Sequence, residues 1–213
     1  MKKYIIPILI ILGSIILSLY FFPLLPNSMA SHWNAQGIVD GYSSKLSNVI
    51  MFPSLSTFLF VLFIIIPQID PKKKNIKTFE NTFNVFIYSM LGFLFLLQLQ
   101  VFLWNTGTEL PMNIVMPILM GLLFIVIAEL IKNAKQNYTI GIRTPWTLSS
   151  EKVWDKTHIL GAKLFRVSGI LTILSASIPK YSYIVLISTI ILFTLILLIY
   201  SYSEYQKEVK GKV

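Results

Sequence analysis

Six long apolar stretches, at about 4–22, 47–67, 83–104, 112–131, 161–178 and 181–202, alternate with short polar segments along the chain. A helix needs roughly 20 apolar residues to cross a hydrocarbon layer about 30 Å thick, because each residue rises about 1.5 Å. Every stretch is close to that length. In hydrocarbon the backbone polar groups must be satisfied within the segment, so helices are predicted rather than loops or open strands. A β-barrel would need period-two alternation, which these runs lack. The pattern predicts an all-α integral membrane bundle of six helices. The runs are apolar almost all round, so the inward face of each helix is not fixed by the pattern.

Three parts are expected along the chain. Residues 1–67 hold the first two spans and the loop between them, 68–131 the third and fourth spans, and 132–213 a long loop, two spans and a basic tail. Composition agrees with the membrane reading: 13% of the 213 residues are charged, against about 25% in soluble domains. The chain has no cysteine, which excludes a disulfide framework and a thiolate metal site.

A net charge of +9 would suit a nucleic-acid partner, but the distribution of basic residues gives another cause. Sixteen of the 18 lysines and arginines fall at the termini, at the 68–82 connection, or at the 132–160 connection and its edge, where Lys163 and Arg166 lie; Lys45 and Lys180 stand on the other side. The positive-inside rule then places both termini in the cytoplasm. Anionic membrane lipids are the expected partners of these lysines, with no direct contact to nucleic acid. Lys2-Lys3 before an apolar run also resembles a signal peptide, with Ser28-Met29-Ala30 as its cleavage site. The run exceeds the usual h-region of about 7–15 residues, so a span is predicted.

Two connections are unusually rich. The outside loop, 23–46, opens with Pro23 and Pro26, which stop the first helix. Gly37 and Asp40-Gly41 supply turn chemistry, so a compact, doubled-back loop is expected. His32, Trp33, Asn34, Asp40 and Tyr42 crowd this segment. In the inside loop, 132–160, Gly141 and Pro145 make turns, and Ser149 or Ser150 is placed to cap a helix with Glu151 in its first turn. Glu151, Trp154, Asp155 and His158 share one face of that helix. It is expected to lie along the bilayer surface before turning into the fifth span near Gly161, with Tyr138, Trp146 and Trp154 at headgroup level.

The spans themselves carry little chemistry. Glu129 is the one carboxylate inside a predicted span, three residues before Lys132, and Pro117 is taken as the one mid-span proline. Proton- or ion-coupled transport, which uses titrating groups at mid-depth and paired broken helices, is disfavoured. The two histidines, His32 and His158, are predicted on opposite membrane faces, too far apart to share a metal or a catalytic site. No nucleophile, base and orienting group are brought together by the pattern. No enzyme activity, catalytic residue, metal or cofactor is expected.

Two strings carry a family resemblance. Leu25 to Lys45, LPNSMASHWNAQGIVDGYSSK, is similar to an N-terminal domain of unknown function found in many Gram-positive membrane proteins. Asn137 to Phe165, NYTIGIRTPWTLSSEKVWDKTHILGAKLF, resembles the signature of the SdpI family, with Ala162 where a second glycine beside Gly161 is expected. The resemblance implies a multi-pass immunity protein of the cell membrane. Such a protein protects the producing cell from a secreted, membrane-active peptide toxin of its siblings. It also implies a receptor role, in which an ArsR-type repressor is held at the membrane. Carried onto this chain, toxin contact falls on His32, Trp33, Asn34, Gly37, Asp40 and Gly41. Partner docking falls on Gly141, Arg143, Thr144, Pro145, Trp146, Thr147, Trp154, Thr157 and His158. A general envelope or lipid-binding protein without a dedicated toxin is the alternative.

Overall fold

Satisfying the backbone within each apolar run leaves helices as the spanning elements. The computed structural model describes residues 2–211; Lys212, counted in the basic tail above, lies outside the described residues. In chain order the elements are α1 (Lys2–Phe21), β1 (Ser28–Trp33), β2 (Val39–Ser44), α2 (Lys45–Ile69) and α3 (Lys73–Thr78). They continue with α4 (Glu80–Asn105), α5 (Met112–Asn133), α6 (Pro145–Ser149), α7 (Glu151–Ser175) and α8 (Pro179–Lys210). Six of these, α1, α2, α4, α5, α7 and α8, are long and apolar enough to cross a membrane. The chain is a multi-pass membrane protein, all-α but for one two-stranded hairpin.

Local chemistry sets several boundaries. Ser44 caps α2 by accepting from Ser47 N at 3.2 Å, and Ser150 caps α7 by accepting from Val153 N at 3.2 Å. Each satisfies one amide left open at a helix start. Pro117 does not stand alone as an internal proline: Pro7 lies inside α1, and Pro53 and Pro67 inside α2.

From Gly161 onward the inward face of α7 is small and hydroxylated, whereas α4 buries large residues such as Phe83, Leu91, Leu94 and Phe102. α7 turns Gly161, Ala162, Ser168, Gly169 and Thr172 inward, whereas Ile170, Leu171 and Leu174 are exposed. Lipid tails are as apolar as leucine, so helices gain by close approach and by hydrogen bonds rather than by hiding apolar area. Gly121 of α5 faces Gly169 of α7 so closely that a Cβ on either would come 2.6 Å from the other's carbonyl oxygen. Gln98 of α4 is fully buried and donates to Ser14 O at 3.0 Å and Ser18 Oγ at 2.8 Å of α1. Ser168 donates to Thr189 Oγ1 at 2.9 Å, joining α7 to α8.

These contacts sort the spans into two sets of three. α1, α2 and α4 pack on one another, as do α5, α7 and α8, and α4 against α5 is the main helix-to-helix seam between the sets. At the end where α1 begins and α8 finishes, the connections carry most of the lysines; the hairpin sits over the opposite end.

The expected surface helix before the fifth span is not separate. Glu151–Ser175 runs as one helix through Gly161. Trp154 is fully buried rather than at headgroup level. The reason is the preceding loop, which folds over the first turns of α7 and encloses Trp154, Thr157 and His158. Gly161 provides the space for it, since a Cβ there would collide with Ile142 Cδ1 of that loop.

Candidate functional site

The hairpin end is built from β1 and β2, paired antiparallel with irregular register around Ala30, His32 and Trp33. Asn34 forms the turn: its backbone N–H donates to Ile38 O at 2.9 Å, and its Oδ1 accepts from Gln36 N and Ile38 N, each at 3.0 Å. Gly37 takes φ +79° there, a conformation costly for a residue with a Cβ. Across the strands His32 Nδ1 meets Asp40 Oδ1 at 2.5 Å, both side chains exposed. Gly41 lies opposite His32, where a Cβ would stand 2.8 Å from His32 Cβ. Five of the six sequence-predicted residues thus shape or hold the hairpin, and the sixth, Trp33, packs edge-on against Trp104 with ring centroids 5.5 Å apart.

The hairpin is fastened to both halves of the bundle. Asn105, at the end of α4, accepts from Ala30 N at 2.8 Å and donates to Ala30 O at 3.0 Å, standing in for a third strand. Met29 is fully buried among Phe21, Phe52 and Phe102. From the other half, Asn113 donates to Gln36 O at 3.2 Å. Beneath β1 a cleft of about 420 Å³ opens between α2, α4, α5 and α8, walled by Phe52, Leu94, Val101, Met116 and Leu186. Trp33 lines its upper edge, and its indole N–H is buried without a hydrogen-bond partner among the described residues.

At the basic end, residues 134–150 form a cap over α7. Trp154 and His158 stack with centroids 3.9 Å apart, and the Trp154 indole donates to Ala134 O at 2.8 Å. His158 Nε2 accepts from Ile142 N at 3.1 Å, while Nδ1 lies 2.8 Å from Trp154 O. One nitrogen faces a donor and the other an acceptor, which selects the neutral imidazole protonated on Nδ1. Gly141 has φ +122°, and a Cβ there would come 2.5 Å from His158 Nε2. Thr144 and Thr147 close a reciprocal capping box on α6, and Thr144 reaches Ser201 Oγ of α8 at 3.1 Å.

Burial divides the nine predicted inside residues. Thr147, Trp154, Thr157 and His158 are enclosed, and Thr144 nearly so. Arg143 and Pro145 are exposed, with Gly141 and Trp146 half-buried. Arg143 is bent back so that its guanidinium donates to Tyr138 O at 2.7 Å, and Trp146 packs on Tyr202.

Sequence reasoning missed the residues that latch the cap. Asp70 is buried and accepts from Tyr138 N at 3.0 Å and Thr139 Oγ1 at 2.8 Å. Gln136 donates to Thr147 O at 2.7 Å and accepts from Lys72 Nζ. Asn137, fully buried, donates to Ile140 O at 2.8 Å and accepts from Ile140 N at 2.6 Å. Glu204 of α8 is buried between Lys156 and Lys207. Asp70 did carry a signal, an acidic residue at the end of an apolar run and directly before Pro71.

A helical membrane bundle with a fastened hairpin over one end and a latched cap over the other defines a multi-pass membrane protein with two shaped surfaces and an apolar interior. Residues 133–203 match the SdpI/YfhL protein family, and residues 9–57 match a domain of unknown function, DUF1648. The chain is 28% identical over 208 residues to the immunity protein SdpI of Bacillus subtilis (strain 168), covering 97% of this chain and 98% of that protein. No solved structure matches. The first family region takes in the cap, α6, α7 and most of α8; the second takes in most of α1, the hairpin and the first half of α2.

Proposed function

We propose that this chain is a membrane immunity protein that protects its cell from a secreted, membrane-active peptide toxin. The observation that carries the reading is the similarity to the Bacillus immunity protein, which extends over nearly the full length of both chains. The hairpin supports a role for the outer end: it sets His32, Asp40 and Trp33 above an apolar cleft, a polar rim over a greasy wall. An amphipathic peptide pairs with such a surface through both of its faces.

The cap supports a second role, docking of a soluble ArsR-type repressor at the cytoplasmic end. A partner reaching it meets Arg143, Pro145 and the edge of Trp146, while Trp154, Thr157 and His158 fix the shape from below. Signalling between the ends requires the toxin and the repressor to prefer the same one of two bundle states.

The test is survival and membrane potential of a toxin-sensitive Gram-positive strain expressing the chain, challenged with an SDP-type peptide toxin. Wild-type protein is expected to protect, and His32→Ala to abolish protection while the protein stays in the membrane. Sensitivity unchanged by wild-type protein, shown to be inserted, would overturn the reading in favour of a general envelope role. For the inner end, Arg143→Glu is expected to weaken recovery of the repressor in a pull-down at least tenfold.

A further inference from the structure

A second cleft, of about 530 Å³, lies between α1, α2, α3 and α4 at the basic end and shares no residue with the hairpin cleft or the predicted docking residues of the cap. Its walls are aromatic and aliphatic, with Phe60 and Phe63 from α2, Phe83 and Ile87 from α4, and Pro7 from α1. Its mouth is cationic. α3 has the sequence KKNIKT, and its one apolar residue, Ile76, is buried as an anchor. Lys73, Lys74 and Lys77 all line the mouth and are exposed.

The charges there are unbalanced. Glu80 also lines the mouth, but it is paired with Lys3. Lys73, Lys74 and Lys77 have no ion-pair partner among the described residues. Three positive charges thus face an opening whose interior is apolar. The lining runs from Phe60 to Gln68 along α2 and from Glu80 to Tyr88 along α4, eight helical rises each, which at about 1.5 Å per rise is about 12 Å of depth.

We propose that this cleft is a binding site for an anionic phospholipid of the cytoplasmic leaflet. The phosphate is held by Lys73, Lys74 and Lys77, and the first part of an acyl chain lies on Phe60, Phe63 and Phe83. Basic pockets between spanning helices at the cytoplasmic side have the chemistry for such headgroups. A soluble phosphorylated partner would use the lysines and leave the aromatic wall, set among spanning helices, without a role. A zwitterionic lipid would use the wall and leave three ammonium groups uncompensated. An anionic lipid accounts for both.

The test uses the full chain in detergent, with bound lipid counted by native mass spectrometry after titration with phosphatidylglycerol or phosphatidylcholine. Wild-type protein is expected to retain phosphatidylglycerol in preference to phosphatidylcholine. The triple variant K73Q/K74Q/K77Q is expected to lose that retention by roughly tenfold or more, given the strength of one lysine's attraction to an anionic surface. K73R/K74R/K77R should keep it, which separates charge from misfolding. A control triple at the same end, K152Q/K163Q/K210Q, should also keep it. Equal loss in both glutamine triples would overturn the site in favour of diffuse surface charge. Equal retention of the two lipids would overturn the headgroup assignment. Competition by soluble glycerol phosphate at the concentration where the lipid binds would overturn the part given to the acyl chain.

Discussion

Gly141 concentrates the logic of the cap in one backbone position. Its φ of +122° is strained for any residue with a Cβ, and the added carbon would meet His158 Nε2 at 2.5 Å. Gly141→Ala is therefore expected to cost about 1–3 kcal/mol, read as a lowered Tm of the detergent-solubilised protein. His158→Ala removes the acceptor of the half-buried Ile142 N–H, at an expected cost of about 1–3 kcal/mol. Trypsin cleavage at Lys135 and Arg143 should accelerate in that variant, because the cap rests on this contact. The sequence made Gly141, His158 and the hairpin residues visible because their types are unusual for a membrane loop. Asp70 and Asn105 were not visible in this way. Their partners lie 68 and 75 residues away, and no local pattern links a carboxylate or an amide to a backbone group at that distance.

Among the elements, the spans were legible because length and apolarity are what the bilayer demands, and four of the six predicted runs lie within about three residues of the observed helices at both ends. The start of α7 was legible from Ser150 and Glu151, but its unbroken run into the fifth span and its buried side were not. Glu151, Lys152, Asp155 and Lys156 lower the local hydropathy, yet they lie on the exposed side of the helix while Trp154, Thr157 and His158 turn inward. An average over the window hides that division. The outside loop was legible as a doubled-back turn, but not as a hairpin with Asn105 as its third rung. Asn105→Ala should leave the Ala30 N–H and C=O without partners and speed amide exchange across 28–33, while exchange in α4 above its last turn stays slow. Unchanged protection of 28–33 would mean the strand pair alone holds β1.

For the whole molecule, part of the inward surface went unread because the closest contacts among α5, α7 and α8 are marked by small and hydroxylated residues rather than by large apolar ones. Gly121, Gly169, Ser168 and Thr189 look like weak points in an apolar run, yet they are where the helices meet. Gly169→Leu is expected to force α5 from α7 and to lower Tm by more than a leucine at the lipid-facing position of Val167, which is exposed. The two three-helix sets touch chiefly along α4 and α5, and they are joined again by Asn113 at the hairpin end and by Asp70 and Gln136 at the basic end. A shift along that seam therefore strains contacts at both ends together, which is the mechanical requirement for one end to sense the other.

The seam also bears on how the protein can be made. The chain passes between the two sets once, through the exposed turn at Gly107, which has φ +99° and open space where a Cβ would go. Each set of three holds its own helix-to-helix contacts, so severing that peptide link removes little of the packing. Two separately translated pieces, 1–107 and 108–213, should insert independently, find each other in the bilayer and copurify through a tag on one of them. The intact order of the six spans would then be a convenience of synthesis, and the assembled bundle would follow from the complementarity of two surfaces.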